Sequence, residues 1–181
     1  TVLARTSTDR RNQALLAMAE ALERQTVGLL EANAEDLEAA RGRGVSGALL
    51  DRLALNPQRV QAMAQGLREV VALPDPLGSI EGLQARPNGL LVGRMRIPLG
   101  VVAMIYEARP NVTADAVGLT LKTGNAVILR GGSEAFRSNR AIGGVIAGAL
   151  RETGMPEGAV QVLDTPDRAA IDVLLAQDAW I

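Results

Sequence analysis

The chain has 181 residues, 48% hydrophobic and 22% charged, with 19 basic and 20 acidic side chains for a net charge of −1. This composition is globular and sufficient for one good-sized core, and no apolar run reaches the roughly 20 residues needed to span a bilayer. With no cysteine and no histidine, disulfides, thiolate and imidazole catalysis and the common zinc sets are excluded within the chain, and near-neutral charge with few aromatics leaves no footprint for nucleic acid.

The first third reads as helices. Apolar Ala14, Leu15, Met18, Ala21 and Leu22 recur at helical spacing and predict a helix over 9–24, capped by Ser7 or Thr8. A second is expected over 25–41, with Gly42 and Gly44 ending it, then a short one over 46–53. A fourth opens at Asn56-Pro57, where proline suits a first-turn position, and carries Val60, Met63, Leu67 and Val70. These stripes read as core or interface. The run Leu73-Pro74-Asp75-Pro76-Leu77-Gly78 breaks the pattern and marks a boundary. Around Asn88-Gly89, a hairpin turn signal, 83–86 is expected to pair with 90–97 as a half-exposed arm. Such an arm needs a partner, and packing on another part of the parent protein or on another subunit of a homo-oligomer is expected.

After Pro98 strand and helix alternate. Strands are expected at 100–106, 126–129 and 160–163 and helices at 112–123, 134–153 and 167–177, with 179–181 beginning a fourth strand. Short connections imply right-handed crossovers and an α/β fold with a doubly wound parallel sheet. The expected organisation is a helical segment over 1–73, a linker and hairpin over 74–98, and an α/β dinucleotide-binding domain over 99–181. Ligands of such sheets sit outside the carboxyl ends of the strands, where 106–111, 130–134 and Asp164-Thr165 fall. At the second of these, Gly131 and Gly132 permit unusual backbone angles and close approach of a ligand. Ser133 is expected to cap the following helix, and Arg130 with free N–H groups to attract an anion. A glycine turn with an ordinary serine cap explains the same spacing. In the other elbow, Asn111 reads as a helix cap, and Arg109 either binds a carboxylate or phosphate or pairs with Glu107. Lys122, the only lysine, sits at a helix end where a cation is favoured.

At YEARPNVTAD and NAVILRGGSEAFRSNRAI the sequence resembles the gamma-glutamyl phosphate reductases of the aldehyde dehydrogenase superfamily, and the likeness extends over essentially all 181 residues. The resemblance implies NADPH-dependent reduction of gamma-glutamyl phosphate to glutamate 5-semialdehyde and phosphate, in cytoplasmic proline biosynthesis. In that chemistry a cysteine thiolate displaces phosphate to form a thioester; no cysteine is present here, so the nucleophile is expected C-terminal to Ile181 and the isolated chain is expected to be inactive. Asn111 falls on the asparagine that donates to the oxyanion. Arg130, Gly131, Gly132, Ser133 and Glu134 fall on the segment that holds the adenosine ribose, with Arg130 suited to a 2′-phosphate and Glu134 expected to turn away or meet it. Arg109 is the candidate for a substrate anion. No metal is implied. A relative acting on a free aldehyde, or a non-catalytic nucleotide-binding or assembly module, are the alternatives.

Overall fold

The computed structural model describes residues 2–181. Four helices lead: α1 (Thr8–Arg24), α2 (Thr26–Gly42), α3 (Ala48–Leu53) and α4 (Pro57–Ala72). The starts of α1 and α4 have a local cause. The Ser7 side chain accepts from the Arg10 N–H, and Asn56 accepts from the Arg59 N–H at 2.7 Å with Pro57 in the first turn, so two otherwise unpaired helix amides are satisfied.

The hairpin arm pairs β1 (Ile80–Ala85) with β2 (Leu91–Met95) in antiparallel register, with a bulge between Glu81 and Gln84. Gly82 (φ 63°) allows the bulge and Gly89 (φ 84°) the turn, both conformations that a side chain disfavours. Every residue of both strands is exposed, so the expectation of a half-exposed arm is corrected. The arm lies off the body, and neither face meets the core.

The α/β part follows as β3 (Val101–Ile105), α5 (Asn111–Lys122), β4 (Ala126–Arg130), α6 (Phe136–Glu152), β5 (Val160–Val162) and α7 (Ala169–Leu175). The three strands form a parallel sheet in the order β3-β4-β5. Residues 178–180 form a turn, so the expected fourth strand at 179–181 is not formed.

Leu15, Met18 and Leu22 of α1, Val60 and Leu67 of α4, Val117 and Leu121 of α5, Val127 and Leu129 of β4, and Ile142 and Ile146 of α6 bury themselves in one core. The N-terminal helices therefore cover the sheet and share its interior. Lys122 is buried within this layer, donating to Asn12 Oδ1 (3.0 Å) and the Val71 carbonyl (2.9 Å), and so ties α5 to α1 and to the end of α4. Nearby, Asp75 accepts from the Thr8 hydroxyl, from Arg11 and from the Leu77 N–H. Burial raises its pKa, but those donors and the charges of Arg11 and Lys122 outweigh burial and hold the carboxyl below its ordinary range.

Candidate active site

Two bends stand side by side at the carboxyl ends of the strands: the elbow after β3 and the Gly131–Gly132 bend after β4. Their contacts explain why they differ.

The bend after β4 is closed upon its own protein. Neither glycine has a positive φ, so unusual backbone angles are not the reason for them. A Cβ on Gly132 would lie 2.8 Å from the Ala108 nitrogen, and one on Gly131 would collide with the Asn139 amide and meet Tyr106 at 3.0 Å. The glycines let the elbow and α6 approach, and the approach is occupied by protein rather than ligand. Arg130 is 7% exposed, and its guanidinium donates to the Gly131 carbonyl (2.8 Å) and the Pro166 carbonyl (3.0 Å). It staples the bend to the loop after β5.

The helix entrance is closed as well. Ser133 opens a 3-10 turn (Ser133–Ala135) and caps nothing; α6 starts at Phe136. The first amides of α6 are taken by Asp36 of α2, which accepts from the Arg137 N–H (3.3 Å), the Ser138 N–H (2.8 Å) and the Ser138 hydroxyl (2.7 Å). Asn33 supports the arrangement by donating to the Ser138 hydroxyl (3.0 Å) and the Leu53 carbonyl (2.9 Å). A carboxylate already sits where an anion would bind to the helix dipole. The expected Ser133 cap is corrected, and the first amides of α6 itself are not open to an anion.

The elbow after β3 is open. Its base is fixed, because the Tyr106 hydroxyl lies 2.7 Å from the Thr113 hydroxyl, which donates in turn to Asn139 Oδ1 at 3.1 Å; burial pushes the Tyr106 hydroxyl pKa up against the lowering effect of Thr113. Asn111 is the first residue of α5, inside the helix rather than capping it, and its amide Nδ2 donates to Asp115 Oδ2 at 3.2 Å. Desolvation raises the Asp115 pKa, and the Asn111 hydrogen bond only partly opposes it. Arg109 Nε lies 2.8 Å from Glu107 Oε1, and Glu107 Oε2 lies 3.4 Å from Arg52 Nη1 of α3. Arg109 and Glu107 therefore do pair.

Asn111, Arg109 and Asp115 line a cavity of about 500 Å³ whose other wall is α3 and α4, with Arg52, Arg59 and Met63. A smaller one of about 250 Å³ lies between α3 and the bend, lined by Leu49, Leu53, Ala108, Gly132 and Glu134, with Arg52 on the border of both. Among the predicted residues, the structure thus gathers Asn111 and Arg109 in one cavity and Gly132 and Glu134 in the other, while Arg130 lines neither. Arg52 and Asp115 had no place in the sequence reading. Asp115 was within reach of it, since residues four apart share a helix face, whereas nothing local to α3 announces Arg52.

A nicotinamide dinucleotide is the group that the resemblance implies. In the 130–134 segment the Glu134 carboxylate can accept from a ribose diol, and Arg130 donates to two carbonyls through Nη1 and Nη2 while its buried Nε has no partner. The segment therefore keeps an acceptor and an unpartnered buried donor that fit the ribose end of such a group. No group of three or more Asp, Glu, His or Cys side chains among the described residues is disposed to hold a metal, and no helix among them is long and apolar enough to cross a membrane.

The fold is an α/β sheet with a donor amide and arginines at its carboxyl edge, and residues 2–180 match the aldehyde dehydrogenase family. The chain belongs to that family. It is 56% identical over 180 residues to the gamma-glutamyl phosphate reductase of Moorella thermoacetica and 54% identical over 179 residues to that of Syntrophomonas wolfei, covering 99% of this chain and 43% of each relative. The crystal structure of gamma-glutamyl phosphate reductase from Thermotoga maritima superposes with a TM-score of 0.96 at 40% identity, over 99% of this chain and 44% of that one. The Saccharomyces cerevisiae reductase gives 0.89 at 32% identity, over 99% and 46%. The chain spans less than half the length of these relatives.

Proposed function

We propose that the chain is the N-terminal part of a gamma-glutamyl phosphate reductase, an oxidoreductase of proline biosynthesis in the cytoplasm that converts L-glutamyl 5-phosphate, NADPH and a proton into L-glutamate 5-semialdehyde, NADP+ and phosphate. The observation that carries this reading is the open cavity at Asn111, set in a chain 56% identical to a named reductase across 180 residues. Bound cofactor supplies the hydride. The nucleophilic thiol belongs to sequence outside these 181 residues, because none of them is cysteine. NADPH as the reductant rests on the family resemblance.

The part these residues play is to receive and orient. Asn111 Nδ2 has two hydrogens; one is held by Asp115 and the other is free to meet the oxygen that gains charge when the substrate carbon turns tetrahedral. An amide fixed in advance stabilises that charge without reorganisation. Arg109 places a cation beside it for an anionic part of the substrate. The exposed apolar residues of the arm, with Leu91 67% and Met95 58% exposed, support its use as a contact between subunits.

Two experiments test the reading. In the complete enzyme, Asn111→Ala lowers kcat by about 10²- to 10³-fold with little change in KM; a loss confined to KM would remove Asn111 from the chemical step. The isolated chain, lacking a thiol, turns over nothing, and NADPH-dependent reductase activity from it would reject the assignment of the nucleophile to another part of the protein.

A further inference from the structure

The cavity under α3 and α4 carries a charge pattern that the oxyanion role of Asn111 leaves unused. Arg59 and Asp51 neutralise one another at 3.0 Å, and Arg59 is tied as well to the Ala54 carbonyl at 2.6 Å. Glu107 is shared between Arg109 and Arg52. One carboxylate facing two guanidiniums leaves a positive charge uncompensated at the elbow. On the α5 wall the imbalance is reversed: Asp115 has no cationic partner among the described residues, and its one hydrogen bond comes from the neutral Asn111 amide. Three arginines, Arg52, Arg59 and Arg109, and two carboxylates, Asp51 and Asp115, line the cavity; with Glu107 behind Arg52 and Arg109 the group is neutral as a whole and polarised across its width.

An α-amino acid head group complements that pattern, with an ammonium and a carboxylate on one carbon. Resting on the reductase reading above, we propose that Asp115 receives the α-ammonium of the substrate while Arg52 and Arg109 receive its α-carboxylate, so that α3 and α5 together select an amino-acid acyl group. The spacing suits the chain length. In a glutamyl chain the ammonium nitrogen lies four single bonds from the reacting carbon, a span of about 5 Å when extended. Asn111 and Asp115 stand one helical turn apart on the same face, about 5–6 Å between their Cβ atoms. An unpaired carboxylate so near a developing oxyanion would oppose it; a bound ammonium removes that opposition. Partial desolvation raises the Asp115 pKa, and no counter-ion among the described residues opposes it.

The test uses the complete enzyme, formed by joining this chain to the C-terminal portion of the Moorella relative, and follows phosphate-dependent aldehyde oxidation. Two substrates are compared: glutamate 5-semialdehyde and its analogue without the amino group, which keeps the same chain and carboxylate. The expected wild-type preference in KM for the aminated substrate is about 10- to 100-fold, the scale of a charged hydrogen bond. Asp115→Asn collapses the ratio to near one, and Asp115→Glu restores part of it, with thermal melting to confirm folding. Arg52→Ala raises KM for both aldehydes and leaves KM for phosphate unchanged. Equal KM values in the wild type, an Asp115→Asn loss that is the same for both aldehydes, or an Arg52→Ala effect on phosphate alone overturns the clamp. A wild-type chimera that oxidises neither aldehyde overturns the reductase reading and the clamp with it.

Discussion

The elbow after β3 and the bend after β4 end adjacent parallel strands, in register from Val101 beside Ala126 to Ile105 beside Arg130, yet they have opposite fates. The bend has the residues that resemble a ligand cradle, two glycines, an arginine and a serine at a helix entrance. All but Ser133 and Glu134 are spent on the protein itself. The elbow keeps an amide, a guanidinium and a carboxylate facing a cavity. A donor's value to a ligand depends on what remains after the fold has taken its share, because a buried polar group must be satisfied before it can be offered.

Substitutions at the two sites should separate them. The largest effect is expected at the elbow, where Asn111→Ala should reduce kcat about 10²- to 10³-fold with stability almost unchanged. At the bend the order of effects is inverted. Gly132→Ala places a methyl group against the Ala108 backbone and should cost about 1–3 kcal/mol in a denaturant titration, the usual penalty of overpacking. Arg130→Ala removes two carbonyl bonds and should cost about 1–3 kcal/mol, with equal losses of affinity for NADPH and NADH. A loss confined to NADPH, without destabilisation, would return Arg130 to the cofactor. The smallest effect concerns Asp115. Its folded pKa is raised, so the protonated form is favoured in the native state, and stability is fully present below the unfolded pKa and declines as pH rises through the folded one. Asp115→Asn should therefore melt slightly higher than wild type above that range and equally below it. A variant that melted lower at neutral pH would show that Asp115 holds a cation within the fold.

Much of the fold was legible in the chain. The periodicity of Leu15, Met18 and Leu22, the Asn56-Pro57 start and the alternation after Pro98 are local signals, and the elements stand where those signals put them. The site was legible only in part, and the failures share a cause. Ser133 looked like a cap because it precedes a helix, but Asp36, about a hundred residues earlier in sequence, reaches the same amides from α2. Arg130 looked free because the Pro166 carbonyl is 36 residues away. Lys122 looked like no more than a cation favoured at a helix end, whereas Asn12 and Val71 hold it buried. Each error is a tertiary partner taking over a group that local spacing leaves open. Asn111 and Arg109 escaped it because the elbow faces a cavity, and Arg52 stayed hidden because only the docking of α3 onto the elbow gives it a role. The missing strand at 179–181 is of the same kind, since three residues of apolar sequence specify a strand only beside a pairing partner.

The central claim is that substrate is received at the elbow and not at the bend. A crystal structure of the complete enzyme with a non-hydrolysable phosphonate analogue of glutamyl phosphate tests it most directly. The account predicts the analogue in the cavity between α3, α4 and α5, with its acyl oxygen about 2.7–3.1 Å from Asn111 Nδ2. An analogue seated at Gly131 and Gly132, with Arg130 swung away from the Gly131 and Pro166 carbonyls to meet it, would contradict the account.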